Sequence, residues 1–197
     1  MGSLDPVNKK IWEKFHIHHR DIPPYTGYEG TRETLAELFN DLGYKYGAEI
    51  GVQQGNFSQV LCQKIPGVHL YCIDCWAPFS HHSQEWQDRQ YNRAAEKLKP
   101  YMATLIRKPS LEAVVDFSNE SLDFVYIDAM HDFDGVIQDI IAWVPKVRKG
   151  GIVSGHDYCY YYQNGVVQAI DAYVWAHGIQ MYYITPKDNF KSWFYVK

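Results

Sequence analysis

The chain has 197 residues and a mass of 23.0 kDa, which suits one domain and excludes a large multidomain enzyme. Hydrophobic residues make up 46% and charged residues 21%, a globular rather than a disordered composition. The net charge of −4 provides no field for a phosphate backbone, so general nucleic-acid binding is disfavoured.

The opening residues, Met1 to Lys10, are polar, with no apolar segment of the kind that directs secretion. No run of about 18 apolar residues occurs, so no membrane span is expected. Four cysteines, Cys62, Cys72, Cys75 and Cys159, fit a reducing cytoplasm with free thiols. Cys72 and Cys75 have C-x-x-C spacing, but no second such pair exists, and both lie in the strand-like run His69–Trp76. They read as part of a strand rather than a zinc or redox site.

Residues 1–30 show no clear periodicity and form an N-terminal arm that could close over a site. His16, His18 and His19 read as a solvated or capping segment rather than a metal centre. Thr31 then caps a helix carrying Leu35, Leu38, Phe39 and Leu42 at helical spacing, stopped at Gly43. Strand and helix signals alternate from there on. Ala48–Val52 is a short apolar strand, Phe57–Lys64 a helix, His69–Asp74 a strand and Trp86–Leu98 a helix. Ala103–Lys108 and Leu122–Asp128 are strands. Val136, Ile137, Ile140, Ile141 and Val144 make a helical stripe, followed by the short strand Ile152–Ser154. Val166, Val167, Ile170 and Val174 form a further helical face. Two aromatic strands, Met181–Thr185 and Ser192–Val196, close the chain as a hairpin. Short apolar strands separated by helices predict an α/β fold with a doubly wound, mostly parallel sheet and an antiparallel edge.

Such a sheet binds ligands at the carboxyl ends of its strands, so the residues that follow each strand are the candidates. Gly51 and Gly55 follow the first, in E-I-G-V-Q-Q-G-N-F-S. They permit a tight turn and close ligand approach, but G-x-x-x-G is not the dinucleotide fingerprint. Asp74 ends the second strand, 25 residues on from Glu49, near the spacing of an acid that accepts from ribose hydroxyls. Ser110 follows the third strand and suits either an adenine edge or a helix cap. Asp128 and His131 follow the fourth; His156 and Asp157 follow the fifth. Aspartate and histidine at two neighbouring strand ends suit deprotonation of an acceptor, with histidine as base or with paired carboxylates holding a Lewis acid. His156 is the first candidate base and His131 the second. Tyr25, Tyr28, Trp76 and Tyr158 are candidate walls of an acceptor pocket.

The motifs E-I-G-V-x-x-G-x-F-S, Y-x-I-D-x-W, F-V-Y-I-D-A-x-H-x-F and G-G-I-V-S-G-H-D-Y resemble those of class I S-adenosylmethionine-dependent methyltransferases. The likeness covers about residues 31–197. It is greatest to the small branch of macrocin-type sugar O-methyltransferases and cephalosporin-hydroxylase-like proteins. The resemblance implies a seven-stranded Rossmann-like sheet, S-adenosylmethionine as methyl donor and a small-molecule acceptor, with a hydroxyl oxygen preferred. It assigns Glu49, Gly51, Gly55, Asp74, Ser110 and Asp128 to the cofactor. In metal-dependent relatives the acid matching Asp128 joins two acidic or amide residues after the fifth strand. His156 and Asp157 stand there in this chain. A set of Asp128, His156 and Asp157 suits Mn²⁺ or Zn²⁺ better than Mg²⁺, which prefers oxygen, and a metal-free site with His156 as base is equally consistent. Two rivals stand beside this reading: a nucleotide-dependent oxidoreductase on a similar sheet, weakened by the missing glycine, and a non-catalytic module on the same fold.

Overall fold

The computed structural model describes residues 4–18, 22–160 and 165–197. Its elements in chain order are α1 (Pro6–Phe15), β1 (Tyr25–Thr26), α2 (Arg32–Asp41), β2 (Tyr46–Ile50), α3 (Asn56–Lys64), β3 (His69–Asp74), α4 (Gln84–Leu98) and β4 (Ala103–Arg107). The short helix α5 (Ser110–Ala113), β5 (Leu122–Ile127), α6 (Phe133–Trp143), β6 (Val147–Gly155), α7 (Gly165–Ala176), β7 (Tyr182–Ile184) and β8 (Trp193–Val196) complete the chain.

The strands form one eight-stranded sheet in the order β1-β7-β8-β6-β5-β2-β3-β4. Strands β2 to β6 are mutually parallel where they pair, and β8 runs antiparallel to both β6 and β7. Parallel strands need both faces covered, and the core is accordingly split in two. Ile11 and Phe15 of α1, Leu35 and Phe39 of α2 and Leu61 of α3 pack on one face. Val136, Ile140 and Trp143 of α6 and Ile170 and Val174 of α7 pack on the other.

The chain leaves β2 toward β3 and β4, then returns to lay β5 against the other side of β2. The order of strands therefore reverses between β2 and β5, and a crevice opens there at their carboxyl ends. The backbones lie close together at that point. The Asp128 N–H donates to Ile50 O at 2.7 Å, and the Gly51 N–H to Ile73 O at 2.8 Å. Gly51 has φ +92°, and a Cβ there would lie 2.1 Å from the Asp128 carbonyl oxygen. Only glycine fits.

The N-terminal segment departs from expectation, because residues 4–18 contain a helix. The Asp5 carboxylate accepts from the Val7 and Asn8 N–H groups, and Pro6 occupies the first turn. Val7, Ile11 and Phe15 recur every four residues, and Trp12 joins them, so the apolar stripe is narrow. Trp12 Nε1 donates to Tyr183 OH at 3.2 Å, fastening the helix to β7. β1 adds an eighth strand to the seven the resemblance implied, pairing with β7. Two residues carry no alternation, so no sequence pattern marks it. His19 of the histidine cluster lies outside the described residues.

If α1 is part of this folding unit, Phe15→Ala should destabilise the whole protein. Phe15 is 1% exposed, and emptying such a site costs about 3–5 kcal/mol. Urea unfolding should show a lower midpoint with one cooperative transition. An unchanged midpoint would mean that the segment docks without contributing to stability.

Candidate active site

Glu49 is the next-to-last residue of β2 and is 2% exposed. Burial pushes its carboxyl up from 4.5 to about 8, opposed by the Ser58 hydroxyl, which donates to Oε2. The group is thus largely protonated at neutral pH, as a carboxyl in a dry site prefers. The loop after it is held by Asp74 at the end of β3. Asp74 Oδ2 accepts from the Val52 N–H at 3.0 Å and the Gln53 N–H at 2.8 Å, and Oδ1 from the Trp76 N–H at 2.9 Å. A carboxylate offers about four acceptor positions, so Asp74 clamps the loop and keeps one position for a ligand hydroxyl. Gly55, at φ +72°, ends the loop and starts α3.

Two of the sequence-based assignments need correction nearby. Trp76 is fully buried, with its indole N–H donating to Gln53 O at 2.7 Å. It scaffolds the glycine loop and walls no acceptor pocket. The Ser110 hydroxyl donates to Asp139 on α6 and accepts from Trp143 Nε1 at 2.8 Å. Two buried polar groups on α6 need that partner, so the hydroxyl turns into the core and neither caps α5 nor faces an adenine edge.

The second half of the crevice is built by the ends of β5 and β6. His156 follows β6, and its N–H donates to Ile127 O at 3.0 Å, which extends the pairing to β5. Asp157 then takes φ +56°, a left-handed conformation that aspartate tolerates better than most residues. The turn is held by Tyr158, whose N–H donates to Lys191 O at 2.9 Å and whose hydroxyl donates to Asp171 at 2.8 Å. Tyr158 therefore acts as a brace. Tyr25 sits at the far edge against Trp12 and Tyr183, away from this crevice. Tyr28 is exposed and packs on His18.

The turn brings four side chains together. His131 Nε2 lies 2.8 Å from Asp157 Oδ2 and 3.7 Å from Asp128 Oδ1. His156 Nδ1 lies 3.3 Å from Asp157 Oδ1 and 3.7 Å from Asp128 Oδ2. Hydrogen bonding to Asp128, then to Asp157, lifts His131 to about 9. Burial alone would raise Asp157, but its bonds to His131 and His156 outweigh that and hold it well below the usual carboxylate range. His131 is therefore a cation at neutral pH, which corrects its place as a second base. Asp128, His131 and Asp157 offer one ligand atom each, all within 4.8 Å of one another. Sequence reasoning put His156 in that set. The structure brings His131 into it and leaves His156 beside it, because the loop after β5 folds back toward Asp157.

Sequence reasoning missed Arg32. Its guanidinium lies 5.0 Å from the centre of the Phe57 ring, on the first turn of α3. The available signal was a cation in the first turn of α2, where the helix dipole disfavours it.

The model of a methyltransferase-domain family matches residues 48–158, from the middle of β2 through the Asp157 turn. That stretch holds the glycine loop, Asp74 and all four members of the cluster. The chain belongs to this methyltransferase family. Solved structures share the fold of this chain. The O-methyltransferase TomG of Streptomyces achromogenes, involved in tomaymycin synthesis and solved with S-adenosylmethionine, is 14% identical with a TM-score of 0.62, covering 99% of this chain and 91% of that one. An O-methyltransferase of Bacillus cereus solved with S-adenosylhomocysteine is also 14% identical, with a TM-score of 0.61, covering 100% and 93%. The curated protein y4gI of Sinorhizobium fredii is 25% identical over 148 residues, 72% of this chain. The chain spans 15% of the length of that relative.

Glu49 makes a pH prediction with a definite sign. Between pH 4.5 and about 8 the folded state binds a proton that the unfolded state has lost, so stability falls as pH rises through that window. Glu49→Gln should remove this part of the decline, roughly 3–5 kcal/mol across the window for a fully buried group. Urea titrations of both proteins from pH 5 to 8.5 would show it. Parallel stability curves would mean that Glu49 ionises normally.

Proposed function

We propose that the protein transfers a methyl group from S-adenosylmethionine to a hydroxyl oxygen of a small-molecule acceptor. One observation carries this: two aspartates and two histidines from neighbouring strand ends converge beside the glycine loop at the point where the strand order reverses. S-adenosylmethionine, when bound, would supply a methyl group on a sulfonium whose sulfur departs as a neutral thioether and so needs no acid assistance. What remains for the protein is to align the acceptor and remove its proton.

His156 is the base in this scheme. Asp157, 3.3 Å from its Nδ1, fixes the tautomer with hydrogen on Nδ1, so Nε2 carries the lone pair that takes the proton. His131, held as a cation, balances the charge of Asp128 and Asp157. Glu49, Gly51, Gly55, Asp74 and Asp128 line the cofactor crevice. Residues 27–32 leave the carboxyl end of β1 at the same edge of the sheet, and the N-terminal arm would cover the site there.

Asp128, His131 and Asp157 would also fit a divalent cation, which would displace the proton from His131, since only a neutral imidazole can be a ligand. Two carboxylates and one imidazole suit Mn²⁺ or Zn²⁺ better than Mg²⁺. A cation there would polarise the acceptor hydroxyl and lower its pKa. No helix among the described residues is long and apolar enough to cross a membrane, and we place the protein in the cytoplasm on its free thiols.

S-adenosylhomocysteine at about 100 times its dissociation constant should stabilise the protein by ~2.7 kcal/mol, seen as a higher melting temperature. No shift at millimolar ligand would sink the proposal. With the acceptor in hand, His156→Ala should lower turnover about 100- to 10,000-fold and leave cofactor affinity unchanged. Chelator separates the two accounts of deprotonation. Activity lost to chelator and restored by one ion assigns the step to the cation, whereas activity that survives assigns it to His156 alone.

A further inference from the structure

We propose that β4 is an interaction edge, on which a second copy of this chain pairs antiparallel about a two-fold axis to form one continuous sheet. β4 ends the strand order and pairs with β3 alone. The Leu70 N–H donates to Met102 O at 3.0 Å and the Lys108 N–H to Asp74 O at 3.1 Å, so Thr104 and Ile106 between them turn their backbone groups to β3. Those of Ala103, Leu105 and Arg107 point outward, and among the described residues no hydrogen bond reaches them. A row of this kind is a template for another strand. The edge is also poorly guarded. Residues Ala103–Arg107 hold no proline and no lysine, and their register with β3 is unbroken. The one charge, Arg107, is folded back onto Asp88 and the Tyr91 ring. The opposite edge, β1, is only two residues long, and Trp12 of α1 packs on its Tyr25.

The face beside this edge is thinly covered. α5 has four residues, about 6 Å of helix, with a single further turn over Val114–Asp116. A cavity of about 290 Å³ remains there, lined by Tyr71, Ile106, Phe117 and Leu122 among others. Met102 just before β4, and Leu111 and Val115 just after it, are 61%, 46% and 74% exposed. Charge selects the occupant. Lys108 pairs with Asp116 at 2.6 Å, Lys99 with Glu96 at 3.9 Å, and Arg107 with Asp88. These pairs cancel, so the margin neither attracts a charged partner nor repels its own copy. A two-fold axis at Leu105 sets Ala103 opposite the second copy's Arg107. All the outward backbone groups are then paired, and no like charges face each other. Thr104 lies opposite the second copy's Ile106, beside the cavity. The strands of the two copies run in opposite directions, so the two crevices open to opposite sides and neither is blocked.

Sedimentation at about 100 μM, a concentration that populates even small interfaces, should give twice the 23.0 kDa of one chain. Amide hydrogen exchange should show the Leu105 N–H slowed about tenfold or more relative to a dilute sample, because its partner comes only from the second copy. Thr104→Lys changes an exposed side chain and puts a lysine on the edge of each copy. It should sediment as a monomer, with unchanged circular dichroism and a fast Leu105 amide. A particle of 23.0 kDa at the higher concentration would overturn the proposal. So would a dimer whose Leu105 amide exchanges freely, since that dimer uses another face. A protected Leu105 amide in a monomer would place a segment of the same chain on the edge, and the proposal would fail again. Dimer and protection both surviving Thr104→Lys would also count against it.

Discussion

The close approach of the backbones at the carboxyl ends of the paired strands β2 and β5 is the constraint on which the rest of the molecule depends. Asp128 donates its backbone N–H to Ile50, and a side chain on Gly51 would meet the Asp128 carbonyl. This contact sets the glycine loop and the aspartate–histidine cluster on opposite walls of one crevice. Each half without the other would be a turn with a few polar residues. Side by side, they form a place where a donor and an acceptor can meet. A substitution at Gly51 would act on both halves at once, through backbone rather than through any lost side-chain chemistry.

Charge is arranged differently in the two walls. On the β2 side, burial keeps Glu49 protonated, so a dry carboxyl sits by the loop without a full negative charge. On the β5–β6 side, Asp157 stays ionised because two imidazoles face it, and one of them, His131, carries a proton at neutral pH. The same residue type thus plays opposite parts within one crevice, decided by what surrounds it. Tyr158 and Asp171 extend this arrangement outward, since they brace a turn that has Asp157 in a left-handed conformation. The strain of that turn is tolerated where the surrounding bonds over-determine it.

The N-terminal segment shows how a fold can exceed its recognisable part. The family match begins within β2, yet α1 and β1 are built into the same sheet and core. Trp12 and Phe15 are buried against β7 and β8 through Tyr183 and Phe194, and β1 pairs with β7, so the edge that a short antiparallel hairpin would leave open is covered.

The amino-acid sequence suffices for the alternating strands and helices, because apolar periodicity is a local property that survives without tertiary context. It also put Gly51, Asp74, Asp128, His156 and Asp157 at or just after the carboxyl ends of parallel strands, and the fold has them there. It did not reveal α1 in full, whose stripe of Val7, Ile11 and Phe15 is narrow, nor β1, whose two residues are too short for any pattern. Only the tertiary structure decided which polar groups remain for a ligand. Ser110 turned inward to serve Asp139 and Trp143, Trp76 was buried under the loop, and His131 came within reach of Asp128 and Asp157, with His156 beside them. Hydrogen-bond partners and counter-charges are contributed by residues distant in the chain, and no local pattern carries that information.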